Sequence, residues 1–216
     1  DNNMIGVTFG GYHSYDDFNL ILTEKEIGSA TVKTNYVDVD GAHGMIDYTE
    51  YFGEPKYKSR TLSFSFNTIV NQSDFLELYS SILNTLHGKR MKIVLDDDPE
   101  YYYVGRLDVS ALSKNKNIGQ ISIECTCEPW KYKELPTVVT QVVNGSVSIT
   151  LVNSRKRVIP TITTTTDSMT ITFGGTSTIV NAGTFTIPTL ELVEGNNTVT
   201  VTGTGNITFT YQEGGL

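Results

Sequence analysis

Cysteine is scarce: Cys125 and Cys127 are the only two in 216 residues. Separated by Thr126, they would share one face of a strand at about 6.5 to 7 Å, too far and too poorly aligned for an unstrained disulfide. They read as small buried thiols of a protein made inside a cell, and with no histidine nearby they do not begin a metal site. Cations are short as well, 16 Lys and Arg against 24 Asp and Glu, a formal net charge of −8. Nucleic-acid surfaces are built from clustered Lys and Arg, so specific nucleic-acid binding is not expected. No window approaches the roughly 18 uncharged apolar residues of a membrane span. No charged stretch precedes an apolar run at the start, so neither membrane insertion nor a signal peptide is predicted; Met4 offers a natural start after Asp1-Asn2-Asn3.

What remains is a folded composition, 38% hydrophobic and 19% charged, long enough for one large or two small domains. It is divided unevenly. Residues 1–132 hold 12 basic and 19 acidic side chains, whereas 133–216 hold 4 and 5. Threonine runs the other way, 9 in the first part and 21 in the second. The change falls at Glu128-Pro-Trp-Lys-Tyr-Lys-Glu-Leu-Pro136, so domains of 1–132 and 133–216 are predicted.

The one helix is predicted after Asn71. Phe75, Leu76, Tyr79, Ile82, Leu83 and Leu86 make an apolar stripe at helical period. Ser73 can cap its start, Asp74 and Glu77 suit the positive end of its dipole, and Gly88 can take the left-handed conformation that ends it. The period then changes to two. Met91, Ile93 and Leu95 alternate against Arg90 and Lys92, and Tyr101, Tyr103, Leu107 and Val109 share a face of the return strand. Between them Asp96, Asp97, Asp98 and Pro99 supply a hairpin turn.

Further strands are expected at Ile5–Phe9, Phe18–Leu22, Arg60–Phe66 and Gly119–Cys127, the last two with strict alternation and the last entered by a turn at Lys114–Asn117. From Tyr36 to Phe52 the period fails. Tyr36, Val39, Met45, Ile46, Tyr48, Tyr51 and Phe52 surround the glycine-rich, acidic Asp38–Gly44 loop, and packing within one subunit does not explain them. They are therefore candidates for a subunit interface. Beyond residue 133, six short strands alternate Thr with Val, Ile or Phe, at 147–152, 159–163, 169–173, 184–187, 198–202 and 207–211, which points to an antiparallel sandwich.

Residues with catalytic chemistry are few. His13, His43 and His87 have no Ser, Cys, Asp or Glu at a spacing that fixes a triad, and no catalytic residue is assigned. The Asp96–Glu100 acids lack the alternating oxygen ligands and central glycine of a calcium loop, and no metal or cofactor is implied. Tyr101-Tyr102-Tyr103 suits sugar stacking, a subunit interface or plain sheet packing. Arg155-Lys156-Arg157 reads as a solvated loop or a partner contact. Gly10-Gly11 and Gly174-Gly175 lack the surroundings of a phosphate loop, and the Asn-x-Ser/Thr triplets at Asn71, Asn144, Asn196 and Asn206 mean little without a secretion signal.

Taken in order, several segments of residues 4–132 resemble the distal tail proteins of long, non-contractile phage tails or related prophages. They are Phe9-Gly-Gly-Tyr-His13-Ser14 with Phe18-Asn-Leu20, Asp38–Gly44, Arg60–Phe66, the capped helix, Leu95–Leu107, and Glu124-Cys-Thr-Cys-Glu-Pro-Trp130. Where many members have Pro-Gly-x-Asp-Gly, this chain has Asp40-Gly-Ala-His43-Gly. The resemblance implies a mainly β protein: an N-terminal β-sandwich with one helix and a hairpin, then a C-terminal galectin-like antiparallel sandwich. It also implies a homo-oligomeric ring of six at the virion's tail tip, made in the bacterial host cytoplasm. Such a ring joins the tail tube protein to the tail-tip hub protein, helps carry a receptor-binding protein, and leaves a channel for DNA.

Two other classes compete. The threonine-rich sandwich could be a carbohydrate-binding module for host-wall saccharide, although the chain's one tryptophan, Trp130, lies at the domain junction. A tail-associated hydrolase would require a paired-carboxylate cleft, and no such pair stands out beyond the turn.

Overall fold

The computed structural model describes residues 5–51, 53–68, 74–115 and 118–216; Met4, Phe52, Asn71, Ser73 and the Lys116-Asn117 part of the expected turn lie outside them. Among the described residues the chain is mainly β with one helix, and it divides into two compact units, Asp1–Lys131 with Leu216, and Tyr132–Gly215.

In the first unit the elements are β1 (Val7–Phe9), β2 (Tyr12–His13), β3 (Leu20–Ile27), β4 (Tyr36–Asp38), β5 (Met45–Asp47), β6 (Arg60–Thr68), α1 (Phe75–Leu86), β7 (Arg90–Leu95), β8 (Asp98–Val109), β9 (Ser113–Asn115) and β10 (Ile118–Cys127). The sheet runs β2-β1-β7-β8-β10-β6-β3, antiparallel at each junction, with β9 beside β10. Strict alternation sets this register. Ile121 lies opposite Phe66, Ile123 opposite Phe64 and Cys125 opposite Leu62, all buried, while Ser122 and Glu124 face out with Ser65 and Ser63. The Phe9 ring of β1 meets the Phe64 ring of β6 edge to face at 5.7 Å. Three strands lie between β1 and β6, which in a flat sheet would separate them by roughly 19 Å. The sheet therefore curls around its core, and Ile82 and Leu86 of α1 join that core.

Both thiols lie in this core. Burial raises Cys125, and it pushes Cys127 up to about 12, so both stay protonated and unreactive. Gly105, opposite Cys127, leaves room for it: a Cβ there would come within 2.4 Å of the Cys127 sulfur.

Two expectations need correcting. Leu76 is 73% exposed, whereas Leu78 packs against the core with Tyr79 and Leu83. At about 100° per residue Leu76 is turned off the face that Phe75, Ile82 and Leu86 define. The β7–β8 turn is also tighter than its composition suggests. Leu95 pairs with Asp98, so only Asp96 and Asp97 are loop, and Asp98 and Pro99 open the returning strand. Proline is tolerated at such a strand start. At the helix end His87 is extended, its N–H bonding Leu83 O at 3.1 Å, and Gly88 is left-handed at φ +74°.

Strand β11 (Lys131–Lys133) begins on a residue of the first unit, and the second unit holds β12 (Thr137–Asn153), β13 (Thr161–Thr164), β14 (Met169–Phe173), β15 (Thr176–Val180), β16 (Gly183–Thr186), β17 (Gly195–Tyr211) and β18 (Gly214–Gly215). Strands β12 and β17 pair without a break from Thr137 and Tyr211 to Asn153 and Gly195. The other edge of β17 is shared, Thr200–Thr202 with β14 and Ile207–Thr210 with β13. Between those stretches Gly203 and Gly205 take φ of +145° and +133°, and Gly145, opposite Gly203, takes +92°. One sheet thus bends at its glycines and curls over a core that includes Val143, Leu151, Val201, Ile207 and Phe209. The strands expected at 198–202 and 207–211 are one strand, 147–152 is the end of a longer one, and Thr176–Val180 is an additional one.

Beside this curl Glu213 is 5% exposed. Burial raises its carboxyl, but hydrogen bonds from Lys133, Ser154 and Thr137 outweigh burial and hold it below the usual glutamate range.

Gly205→Ala puts a Cβ 2.4 Å from the Thr166 hydroxyl at a φ that L residues rarely adopt. Urea unfolding followed on the second unit should show a loss of about 1–3 kcal/mol. Because the folded Glu213 carboxyl is depressed, its contribution is full above the ordinary glutamate pKa of about 4.3 and is lost as pH falls through the lower folded value. The stability gap between wild type and Glu213→Gln should therefore be full at pH 6 and close toward pH 3; a gap independent of pH would show that the carboxylate is not the source.

Candidate functional site

After β3 the chain leaves the sheet at Gly28 and returns at Arg60. No described residue from Ile21 through Ser59 is buried. The excursion is an arm: Val32 pairs with Tyr57, Lys33 N–H bonds Lys56 O at 2.7 Å, and β4 and β5 pair only with each other.

The root of the arm is fixed from inside. Arg60 occupies the core phase of β6, in step with Leu62 and Phe64, and is 8% exposed. Its Nε donates to Gly28 O at 2.7 Å, its Nη1 donates to Pro129 O at 3.3 Å, and the guanidinium lies 5.2 Å from the centre of the Tyr103 ring. Gly28 N–H bonds Thr61 O at 2.8 Å, an approach that a side chain at 28 would block. Tyr57, on the returning leg, packs edge to face on Trp130 at 5.6 Å.

Farther out the register sorts the side chains. Val37 opposes Ile46, and by alternation Val39 and Tyr48 fall on their face; Tyr36 opposes Asp47 and Asp38 opposes Met45 on the other. Tyr36, Val37, Val39, Met45, Ile46, Tyr48 and Tyr51 are all exposed, Met45 at 65% and Tyr51 at 71%. Tyr48 and Tyr51 touch only edge to face, ring centres 5.7 Å apart. The tip is a loop with Gly41 and Gly44 at positive φ and an Ala42 N–H to Val39 O bond of 3.0 Å. Thr49 bonds Asp47 through its side chain and its backbone N–H and holds that carboxyl below the usual range, so it is charged. Alternation with Val39 could have marked Val37 from sequence, and phase with Leu62 could have marked Arg60.

The acidic turn is tied within its own unit. Asp96 accepts from Gly6 N–H at 2.7 Å and from His13 Nε2 at 3.0 Å, Asp97 pairs with Lys25, and Asp98 pairs with Lys131. His13 Nδ1 accepts from Asp16 N–H at 3.2 Å, so both ring nitrogens have partners within the unit. His87 accepts Val109 N–H on Nδ1 at 3.0 Å. This bond ties the residue after α1 to β8. His43 is exposed in the arm loop. Tyr103 is buried, whereas Tyr101 and Tyr102 lie under Lys131 and Lys92 at 4.2 and 4.5 Å. In the second unit Arg157 pairs with Glu191 at 2.9 Å and Lys156 covers Tyr132 at 5.3 Å.

No family model and no curated protein matches the chain. Among solved structures its fold is shared with the SPP1 Dit (gp 19.1) protein, at a TM-score of 0.71 and 16% identity over 96% of this chain and 98% of that one. That protein is described as a paradigm of the hub adsorption apparatus in phages that infect Gram-positive bacteria. The fold of the chain is therefore that of a phage distal tail protein.

Arg60→Ala removes both donors at the arm's root. Amide exchange across 31–58 should accelerate and the first unit should lose about 2 kcal/mol in urea. Unchanged exchange there would show that other contacts hold the arm.

Proposed function

We propose that this chain is a structural component of a phage or prophage tail tip. Six copies close into a ring through the arm, join the tail tube protein to the tail-tip hub protein and leave a channel for DNA; a receptor-binding protein attaches below. In this reading residues 1–132 form the ring.

One observation carries the reading: the whole Tyr36–Tyr51 segment displays tyrosine and aliphatic side chains that its own subunit does not cover. Such a stripe on a two-stranded ribbon is unstable in water unless another surface buries it. The fold is shared with a protein described as a paradigm of a hub adsorption apparatus, which supports an assembled role for the chain. The net charge of −7 over residues 1–132 suits a wall past which DNA phosphate moves without sticking.

A saccharide-binding role for the second unit draws on a different feature. Thr184, Thr163, Thr208 and Thr140 lie in one row across four strands. Two contacts within that row, Thr163 with Thr184 and Thr140 with Thr208, are already hydroxyl pairs at 3.0 Å. Trp130 is packed on Tyr57. A connector predicts no heat on titration of the full chain with cell-wall polysaccharide, and saturable binding would favour the second role.

The test of the ring is the variant Ile46→Asp with Tyr48→Asp, compared with wild type by light scattering and negative-stain imaging across concentration. Wild type should form closed rings as concentration rises, and the variant should stay monomeric with an unchanged circular dichroism spectrum. A variant that assembles like wild type would remove the arm from the interface.

A further inference from the structure

The arm has a polarity that its apolar side chains alone do not reveal. Between Lys33 and Lys56 there is no Lys or Arg, while Asp38, Asp40, Asp47 and Glu50 are all exposed or at the surface. Two arms laid against each other along residues 34–55 would bring like charges together, so a symmetric contact between those outer parts is disfavoured. The receiving surface must be apolar enough to cover Ile46 or Tyr51 and cationic enough to answer the carboxylates.

The outer face of β7 and β8 has that chemistry. Arg90 and Arg106 are direct cross-strand partners, and Lys92 lies opposite Val104. Like charges placed opposite each other weaken a strand pair, and Glu128 on Arg90 and Gly88 O on Arg106 offset only part of that cost within the chain. Arg90 reaches Glu128, and Arg106 donates to Gly88 O at 2.6 Å, which fixes both guanidinium groups beside a depression of about 700 Å³. Val104, His87, Ser59 and Pro129 line the same depression, together with the carboxylates Asp108 and Glu128, the second of which pairs with Arg90. Lys92 stands beside it over the Tyr102 ring.

We propose that the arm of one copy docks on the β7–β8 face of the next, with its carboxylates toward Arg90, Lys92 and Arg106 and an apolar arm side chain in the depression. This rests on the ring reading above and supplies the surface that receives the arm. Donor and acceptor surfaces are different, so the contact is heterologous, the kind that generates a ring when its rotation closes.

Charge exchange tests it in the full chain. One variant carries Arg90→Glu and Arg106→Glu; the other carries Asp38→Lys, Asp40→Lys and Glu50→Lys, sparing Asp47 because it holds Thr49. Each alone should need at least about tenfold more protein to assemble, the scale of one close charge pair. Mixed in equal amounts they should recover, because the reversed arm meets the reversed face and the native arm meets the native face. Lys92→Glu serves as the face variant should the double substitution alter the circular dichroism. If each variant assembles like wild type, or the mixture fails to recover, the docking face is wrong, and an Ile46→Asp, Tyr48→Asp chain that still fails to assemble would leave the ring reading standing. A wild-type chain that never assembles overturns both.

Discussion

A buried guanidinium joins the interior of the first unit to its exterior. Arg60 sits where the alternation of β6 calls for an apolar residue, and a charge in that place is costly unless its donors are used. They are used on Gly28 O and Pro129 O, the residue at which the arm departs and the segment beside its return. The sheet therefore does more than enclose phenylalanines: its first core position on β6 fixes the start of a segment that contributes nothing to the core. Trp130 against Tyr57 braces the other leg. Flexible roots would let an exposed apolar ribbon fold back on its own sheet. A braced root holds it in water, where only a partner can cover it.

The second unit solves a different problem with the opposite chemistry. It has little charge to place, so its stability comes from β-branched side chains on a pleated surface and from the curl of one sheet over its core. That curl depends on Gly145, Gly203 and Gly205, whose φ values let two long strands bend together and stay in register. Because β17 is continuous through the bend, its halves pair with different neighbours while β12 follows its other edge throughout.

Those glycines also show where sequence reading stops. Alternation placed Leu62, Phe64 and Phe66, and Ile121 through Cys127, on the faces they occupy, because a side-chain period of two is a local property of a strand. A glycine is locally ambiguous. The residues that end strands at turns are the same ones that bend strands without ending them, and only the partner register distinguishes the two. Hence Gly203-Thr204-Gly205 divides a strand on paper that is undivided in space. Leu76 failed for a related reason, since a helical stripe read from apolar identity is wider than the face the sheet can cover. The arm was legible through its lack of period, although what holds it, Arg60, was hidden by the expectation that arginine faces water.

Rigidity at the root and charge at the tip bear on the same question of closure. A contact between two different surfaces generates a ring only if each copy is rotated from the last by the same closing angle, and otherwise it runs on as a filament. The angle is set by how the arm leaves its own sheet and by how it seats on the next one. Arg60, Gly28 and the Tyr57–Trp130 pair fix the first, all within one chain. A seat of directional charge, guanidinium groups held by Glu128 and Gly88 O, would fix the second more narrowly than an apolar groove could, because apolar contact tolerates sliding and paired ions do not. The outer part of the arm, residues 34–55, holds carboxylates and no Lys or Arg, with a further effect: it repels its own kind in the crowded interval before a neighbour's face is found, so the ribbon is kept from pairing with another ribbon by the same carboxylates that would hold it in place afterwards.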